Sequence, residues 1–134
     1  MNHIDYLKSL KAEDWLKPAT SKWTVKDVLS HLVGWEREVA TTFLKSRETK
    51  KIPWYLETED YDEFNEKVQK EFTDWSPEDL MNEWQKWEED LNSKIREVGE
   101  DVINIRRQNL SWMVDGKENN HTDWHINQIK KALE

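Results

Sequence analysis

The sequence contains no cysteine, which excludes a disulfide framework and any metal site built from thiolates. Glycine and proline are scarce, with three residues of each among 134, so few positions favour a break in a helix. No apolar run approaches the roughly 20 residues of a membrane-spanning helix, and the first residues lack the pattern of a signal peptide. We therefore expect a single domain over residues 1–134 that is cytoplasmic and does not associate with a membrane.

The sequence also lacks an excess of basic residues. Its net charge is -8, whereas proteins that bind nucleic acid need Lys and Arg concentrated on one face to contact phosphates. The basic pairs at residues 50–51 and 106–107 are isolated from each other in the sequence. The composition therefore predicts no nucleic-acid partner.

Tryptophan is abundant, with nine residues, although 36% of the chain is charged. Each indole can bury on the order of 200 Å², so indoles at helical spacing can replace many leucines in a core. Apolar residues recur three and four positions apart along most of the chain, which indicates an all-α fold. The predicted helices cover residues 2–14, 24–44, 60–72, 76–98 and 121–133.

Two of these helices have clear start signals. Thr24 is followed three residues later by Asp27, which fits an N-cap with an acidic residue in the first turn. Ser76, Pro77 and Asp79 form a second and sharper start signal. Residues 24–44 and 76–98 are therefore expected to be the longest helices of the core.

The connections between the helices are less regular. Residues 46–59 lose the helical periodicity and contain Pro53, so they are predicted to form a long connection. Residues 100–118 have a weak pattern and are predicted to form a loop with one extended or helical turn. Gly99 is expected to end the fourth helix, a turn is expected at Asp115 and Gly116, and Asn119 or Asn120 is expected to cap the last helix.

Three of the four histidines fall on predicted core faces. His121 and His125 are four residues apart on the last helix and point the same way, towards the middle of its expected buried face. His31 lies at the margin of the apolar face of the second helix, close to Trp35. A buried imidazole needs partners for both nitrogens, and a metal ion would bind one nitrogen of each ring. Three neutral imidazoles with one open coordination position are typical of a catalytic metal site.

An ordinary alternative exists for each of these residues. Histidines four apart occur by chance, and a helical histidine is often a core or surface residue bonded to a carbonyl. His3 is expected in a disordered or solvated N-terminus. Glu36 lies about 140° around the helix from His31, so it is predicted to be a solvated carboxylate and a weak candidate for a base. Trp35 and Trp124 flank the histidines and are predicted to line a pocket there, whereas most other indoles are expected in the core.

The histidine stretches resemble a known family. The stretch from Trp23 to Glu36 is similar to the second-helix signature of the DinB-like (DinB/YfiT) four-helix-bundle superfamily. The stretch from His121 to Ile129 is similar to its last-helix signature. The middle segment from Glu59 to Asn65 resembles the ClbS/DfsB-like branch of this superfamily.

The resemblance implies a fold, a site and an activity. The implied fold is a four-helix bundle that runs up, down, down, up, with a long crossover carrying a short extra helix between the second and third helices. The implied site is a metal triad of His31, His121 and His125 that binds nickel, zinc or iron as a divalent ion. The implied activity is that of a transferase or isomerase using a low-molecular-weight thiol, or of a hydrolase, as in the ClbS-like branch. The first helix is shorter than is usual in the superfamily.

We therefore expect a metal-dependent transferase or hydrolase that acts on a small electrophilic substrate through a metal-activated nucleophile. One alternative is a stress-related bundle that binds a small molecule or metal without turnover. Another is an interaction module whose histidines are core residues. Exposed tryptophans, if they form a patch, favour a homodimer.

Overall fold

The computed structural model describes residues 2–49, 53–58, 60–98, 104–105, 108–109 and 121–134, and the chain is mainly α-helical there. The all-α fold class is confirmed, whereas the up, down, down, up order of the helices stays a prediction. The helices are α1 (His3–Lys8), α2 (Val25–Thr49), α3 (Asp62–Phe72), α4 (Pro77–Val98) and α5 (His121–Ala132). Shorter elements are the 3-10 turns Ala12–Leu16 and Trp54–Leu56 and the antiparallel strands β1 (Asn104–Ile105) and β2 (Gln108–Asn109).

Helix α2 forms the centre of the core. Every residue from Val28 to Glu36 is buried, because α4 packs along α2 and because α3, α5 and the first 3-10 turn also contact it. Ser30 is buried too, and its hydroxyl donates a hydrogen bond to the carbonyl of Lys26 within the helix. The other elements supply apolar side chains to the same core, which are Leu7, Trp15, Val68, Phe72, Leu80, Trp84, Ile126 and Ile129.

A glycine lets α3 lie close to α2. A Cβ atom added at Gly34 would lie 2.5 Å from Cγ1 and 2.6 Å from Cγ2 of Val68, which is too close for any real contact. Beside this contact, the guanidinium of Arg37 donates two hydrogen bonds of 2.5 and 2.6 Å to the carboxylate of Glu71. The close approach brings the N-terminal part of α3 next to His31.

Both predicted helix starts are confirmed. The backbone N–H of Asp27 donates to Oγ1 of Thr24 at 3.2 Å, and the N–H of Thr24 donates to Oδ2 of Asp27 at 3.0 Å. The N–H of Asp79 donates to Oγ of Ser76 at 3.1 Å. These side chains satisfy N–H groups that have no partner inside the helix. Helix α4 then covers Pro77–Val98, which differs from the predicted range 76–98 by one residue at its start.

The N-terminal helix is shorter than the predicted range of 2–14. Helix α1 ends at Lys8, where the hydroxyl of Ser9 donates to the carbonyl of Tyr6. A new 3-10 turn then begins because the N–H of Lys11 donates to the carboxylate of Asp14 at 3.0 Å. Local side-chain hydrogen bonds of this kind compete with helix continuation.

The prediction that residues 46–59 form a connection without helical structure was wrong for residues 46–49. Helix α2 continues to Thr49, five residues beyond the predicted end at residue 44, because no glycine or proline occurs between residue 44 and Pro53. Helix α3 begins at Asp62, two residues later than predicted. The predictions for Gly99, for the turn at residues 115–116 and for a cap at residues 119–120 lie outside the described residues. Within the predicted loop of residues 100–118, the structure describes only β1 and β2.

Among the described helices, none has both the length and the apolar composition that crossing a membrane requires.

Candidate metal centre

The nitrogens of three histidine rings converge on one point in the core. The Nε2 atom of His121 lies 3.1 Å from Nε2 of His31 and 3.1 Å from Nε2 of His125. The three candidate ligand atoms all lie within 4.8 Å of one another. Among the described residues, no other group of three or more histidines and carboxylates converges in this way.

Two helices hold these rings in place. His31 lies on the enclosed part of α2, where its ring centroid is 4.7 Å from that of Trp23 and 6.5 Å from that of Trp35. His121 and His125 lie one turn apart on α5, with ring centroids separated by 4.5 Å. The cluster therefore forms where α2 and α5 pack against each other.

Burial keeps the three rings neutral at pH 7. It lowers the pKa of His31 to about 3, with His125 adding to the effect and a side-chain hydrogen bond to Asn65, which favours the protonated ring, opposing it. Burial also lowers the pKa of His121 well below its ordinary value, with His125 and His31 adding to the effect. The pKa of His125 is lowered by burial too. Neutral imidazole is the form that binds a metal ion.

Hydrogen bonds between the rings cannot satisfy all three nitrogens. The Nε2 atom of a neutral imidazole is either a donor of one hydrogen or an acceptor, so Nε2 of His121 donates well to only one of its two neighbours. A divalent ion would accept a lone pair from each ring. Two nitrogens that each lie about 2.1 Å from one ion are about 3.0–3.4 Å apart at octahedral or tetrahedral angles. The observed separations of 3.1 Å fit this range, so the three residues could hold one metal ion.

A second group orients the ring of His125. Its Nδ1 atom lies 3.1 Å from Oε1 of Gln128, one turn further along α5. An Nδ1–H that donates to this oxygen leaves the Nε2 lone pair free to face His121. Metal-binding histidines commonly have such an outer hydrogen bond, which fixes the tautomer and the orientation of the ring.

A cavity of about 310 Å³ opens beside the cluster. It is lined by His31, Trp35, Tyr61, Asn65 and His121. The indole N–H of Trp35 donates to Oδ1 of Asn65 at 2.9 Å, and the hydroxyl of Tyr61 donates to the carbonyl of Tyr55 at 2.8 Å. Grooves of up to about 490 Å³ occur elsewhere on the surface, but the described residues place converging imidazoles only here.

The wall of this cavity is aromatic on one side. The ring of Trp35 lies 4.5 Å from that of Phe64, 5.1 Å from that of Tyr61 and 5.7 Å from that of Trp54, measured between centroids. The second 3-10 turn and the start of α3 supply these partners. Sequence reasoning missed Tyr61 and Asn65 as lining residues, although both fall in the segment that resembles the ClbS/DfsB-like branch.

The prediction that His121 and His125 lie at the middle of the buried face of α5 was wrong in part. The buried residues of this helix are Thr122, His125, Ile126 and Ile129, so His121 lies at the edge of the buried face. Trp124, predicted to line the pocket, is 60% exposed, and its ring lies nearly perpendicular to that of His125, with 4.8 Å between the centroids. Trp35 lines the cavity as predicted.

Two other sequence-based assignments were wrong. Glu36 is not solvated but 1% exposed, and it accepts a hydrogen bond from the hydroxyl of Thr122. His3 belongs to α1, and its Nε2 atom lies 2.5 Å from the carboxylate of Asp123 on α5. A helical wheel drawn for one helix does not show contacts that a second helix supplies at these positions.

The fold and the histidine cluster define an all-α protein with a centre suited to a divalent metal ion. Residues 3–109 match the family model of the mycothiol maleylpyruvate isomerase N-terminal domain. Because this match covers more than half of the chain, the protein belongs to that family, which is a DinB-like four-helix family. The matched range includes His31 and ends before His121 and His125. No curated protein and no solved structure matches the chain.

Proposed function

We propose that the protein is a divalent-metal-dependent enzyme in which His31, His121 and His125 bind the ion. The enzyme transfers a small thiol to an electrophilic substrate or isomerises that substrate, and hydrolysis by an activated water is the related alternative. The observation that carries the proposal is the convergence of three neutral imidazoles, two of them buried and one partly buried, beside a cavity. The family description, which contains mycothiol and an isomerase, favours a thiol as the nucleophile.

The chemistry of the donor set agrees with this proposal. Imidazole nitrogens suit zinc, nickel and iron, and three protein ligands leave a coordination position for water or substrate. A divalent ion there would act as a Lewis acid and lower the pKa of a thiol or water towards neutrality. The three imidazole ligands are neutral, so the site as a whole would keep the formal positive charge of the ion.

The side chains around the cavity have roles that do not depend on the identity of the metal. The rings of Trp35 and Tyr61 form a rigid apolar wall against which a small substrate can pack. The amide of Asn65, held by the indole of Trp35, is a polar contact at the same wall. Aromatic enclosure of this kind also limits the access of bulk water to the reacting groups.

Metal analysis of the purified protein tests the first part of the proposal. We expect one divalent ion per chain after zinc, nickel or ferrous iron is offered and excess ion is removed. Wild-type protein that retains no metal under these conditions would overturn the proposal.

Turnover tests the second part. The metal-loaded protein is offered low-molecular-weight thiols together with small electrophiles, and the same electrophiles without a thiol to detect hydrolysis. We expect a product that disappears when a chelator removes the ion. One ion per chain without turnover on a broad panel would instead support a non-catalytic bundle that binds metal or a small molecule.

A further inference from the structure

A hydrogen bond joins α2 and α5 next to the histidine cluster. The hydroxyl of Thr122 donates to Oε1 of Glu36 at 3.2 Å. Both residues are enclosed, with 2% of Thr122 and 1% of Glu36 exposed to solvent. Thr122 directly follows His121 in α5, and Glu36 lies little more than one turn beyond His31 in α2. The bond therefore joins the same two helices that bring His31 and His121 together.

The apolar contacts around this bond do not fix the helices along their axes. Hydrophobic burial is non-directional, so Ile126 and Ile129 would remain buried if α5 moved slightly along α2. A hydrogen bond weakens steeply when its distance and angle change, and a buried polar group without its partner is costly. A shift by one residue is about 1.5 Å along the axis, which is enough to break the contact between Thr122 and Glu36.

We propose that Glu36 and Thr122 are positioning residues that set the register of α5 against α2. In this register, Nε2 of His31 faces Nε2 of His121 at a separation suited to one metal ion. Neither residue needs to touch the ion or the substrate for this role. The part of the inference that concerns metal affinity rests on the proposed function, whereas the part that concerns ring placement applies to the metal-free protein.

Three substitutions test the role of the hydroxyl. Thr122→Val removes it and preserves the shape of the side chain, Thr122→Ser retains it, and Ser30→Ala is the matched control. Ser30 is equally buried, and its hydroxyl bonds only to the carbonyl of Lys26 in its own helix. Thr122→Ala is the second variant without the hydroxyl if Thr122→Val does not fold.

Metal affinity, measured by competition with a chelator, is the first readout. We expect about a tenfold loss in Thr122→Val, because groups that orient metal ligands typically contribute 10- to 100-fold to affinity. Thr122→Ser and Ser30→Ala should stay within about twofold of wild type. The visible spectrum of the cobalt-substituted protein should change in Thr122→Val and in neither of the other two variants. Wild-type affinity and spectrum in Thr122→Val would overturn the inference, as would an equal loss in Ser30→Ala.

Nuclear Overhauser contacts between the ring protons of His31 and His121 are the second readout, recorded without metal. The ring centroids are 5.0 Å apart, so we expect these contacts in wild type, Thr122→Ser and Ser30→Ala and a clear loss of intensity in Thr122→Val. Unchanged contacts in Thr122→Val would overturn the inference. If wild-type protein binds no metal, the proposed function fails, but this comparison still decides whether the pair positions the rings.

Discussion

The Nε2 atoms of His31 and His121 lie 3.1 Å apart, although 90 residues separate the two histidines in the chain. Helix α2 supplies one ring of the cluster, and α5 supplies the other two. The candidate metal centre therefore exists only when these helices are packed. Binding of an ion to the folded chain should consequently stabilise it against unfolding.

Replacing His125 with Ala should abolish stoichiometric metal binding, because it removes one of three converging nitrogens. His3→Ala is the matched control, since His3 is the histidine that lies outside the cluster. It should keep one ion per chain and lose at most about 1 kcal/mol of stability from the pair with Asp123, which is partly exposed. Metal analysis and urea unfolding of both variants measure these effects. Equal loss of metal from the two variants would contradict the assignment.

Gln128→Leu should weaken metal binding by about 10- to 100-fold, because the ring of His125 loses the acceptor that fixes its tautomer and orientation. Asn127→Leu changes the neighbouring amide, which is exposed on the same helix, and should leave the affinity unchanged. Chelator competition measures both variants. A Gln128→Leu protein that binds as tightly as wild type would show that this hydrogen bond has no role in ligand orientation.

The metal-free protein should lose stability as the pH falls below about 6.5, the ordinary pKa of histidine in an unfolded chain. The pKa of His31 in the folded protein is about 3, so the unfolded state binds more protons between these values and acid favours it. His31 alone should contribute a loss of about 2 kcal/mol between pH 7 and pH 5. Urea unfolding at several pH values measures this loss.

His31→Leu is the comparison for this pH series, because it removes the titrating group and leaves an apolar side chain in the core. Its stability should fall less steeply than that of wild type between pH 7 and pH 5. Parallel curves for the two proteins would show that His31 does not titrate differently in the folded and unfolded states.

Gly34→Ala should destabilise the protein by about 1–3 kcal/mol, because overpacking a core has a cost of this size. The added methyl group would overlap both γ-carbons of Val68. Urea unfolding measures the loss in this variant, in Val68→Ala and in the double variant. The double variant should lose less than the sum of the single losses, because Val68→Ala makes room for the new methyl group. Additive losses would indicate that the clash relaxes elsewhere.

Much of the architecture follows from local sequence signals. Ser76 marks the start of α4 because its hydroxyl accepts from the N–H of Asp79, while Pro77 has no N–H that needs a partner. Thr24 with Asp27 marks the start of α2 because the two side chains satisfy backbone N–H groups within a single turn. The end of α1 depends on Ser9 and Asp14, which offer hydrogen bonds that compete with the helix. The periodic pattern of apolar residues gives no information about such competing hydrogen bonds.

The grouping of the histidines was predictable, whereas their surroundings were not. His31, His121 and His125 fall on faces that a helical wheel places towards the core. Their mutual distances, the burial of Glu36 and the exposure of Trp124 depend on how α5 is rotated against α2. That rotation results from the packing of side chains on both helices, so it cannot be predicted from the periodicity of one helix alone.

The two helices that supply the cluster differ in how freely their sequences can vary. Trp124, Asn127, Lys130 and Lys131 leave much of α5 facing solvent, whereas α2 is enclosed from Val28 to Glu36. Substitutions on α5 therefore disturb fewer packed neighbours, and surface changes typically alter stability by less than about 0.5 kcal/mol. The exposed positions of α5 should tolerate substitution more readily than the enclosed part of α2, whereas His31 and His125, each 6% exposed, are equally constrained by their neighbours.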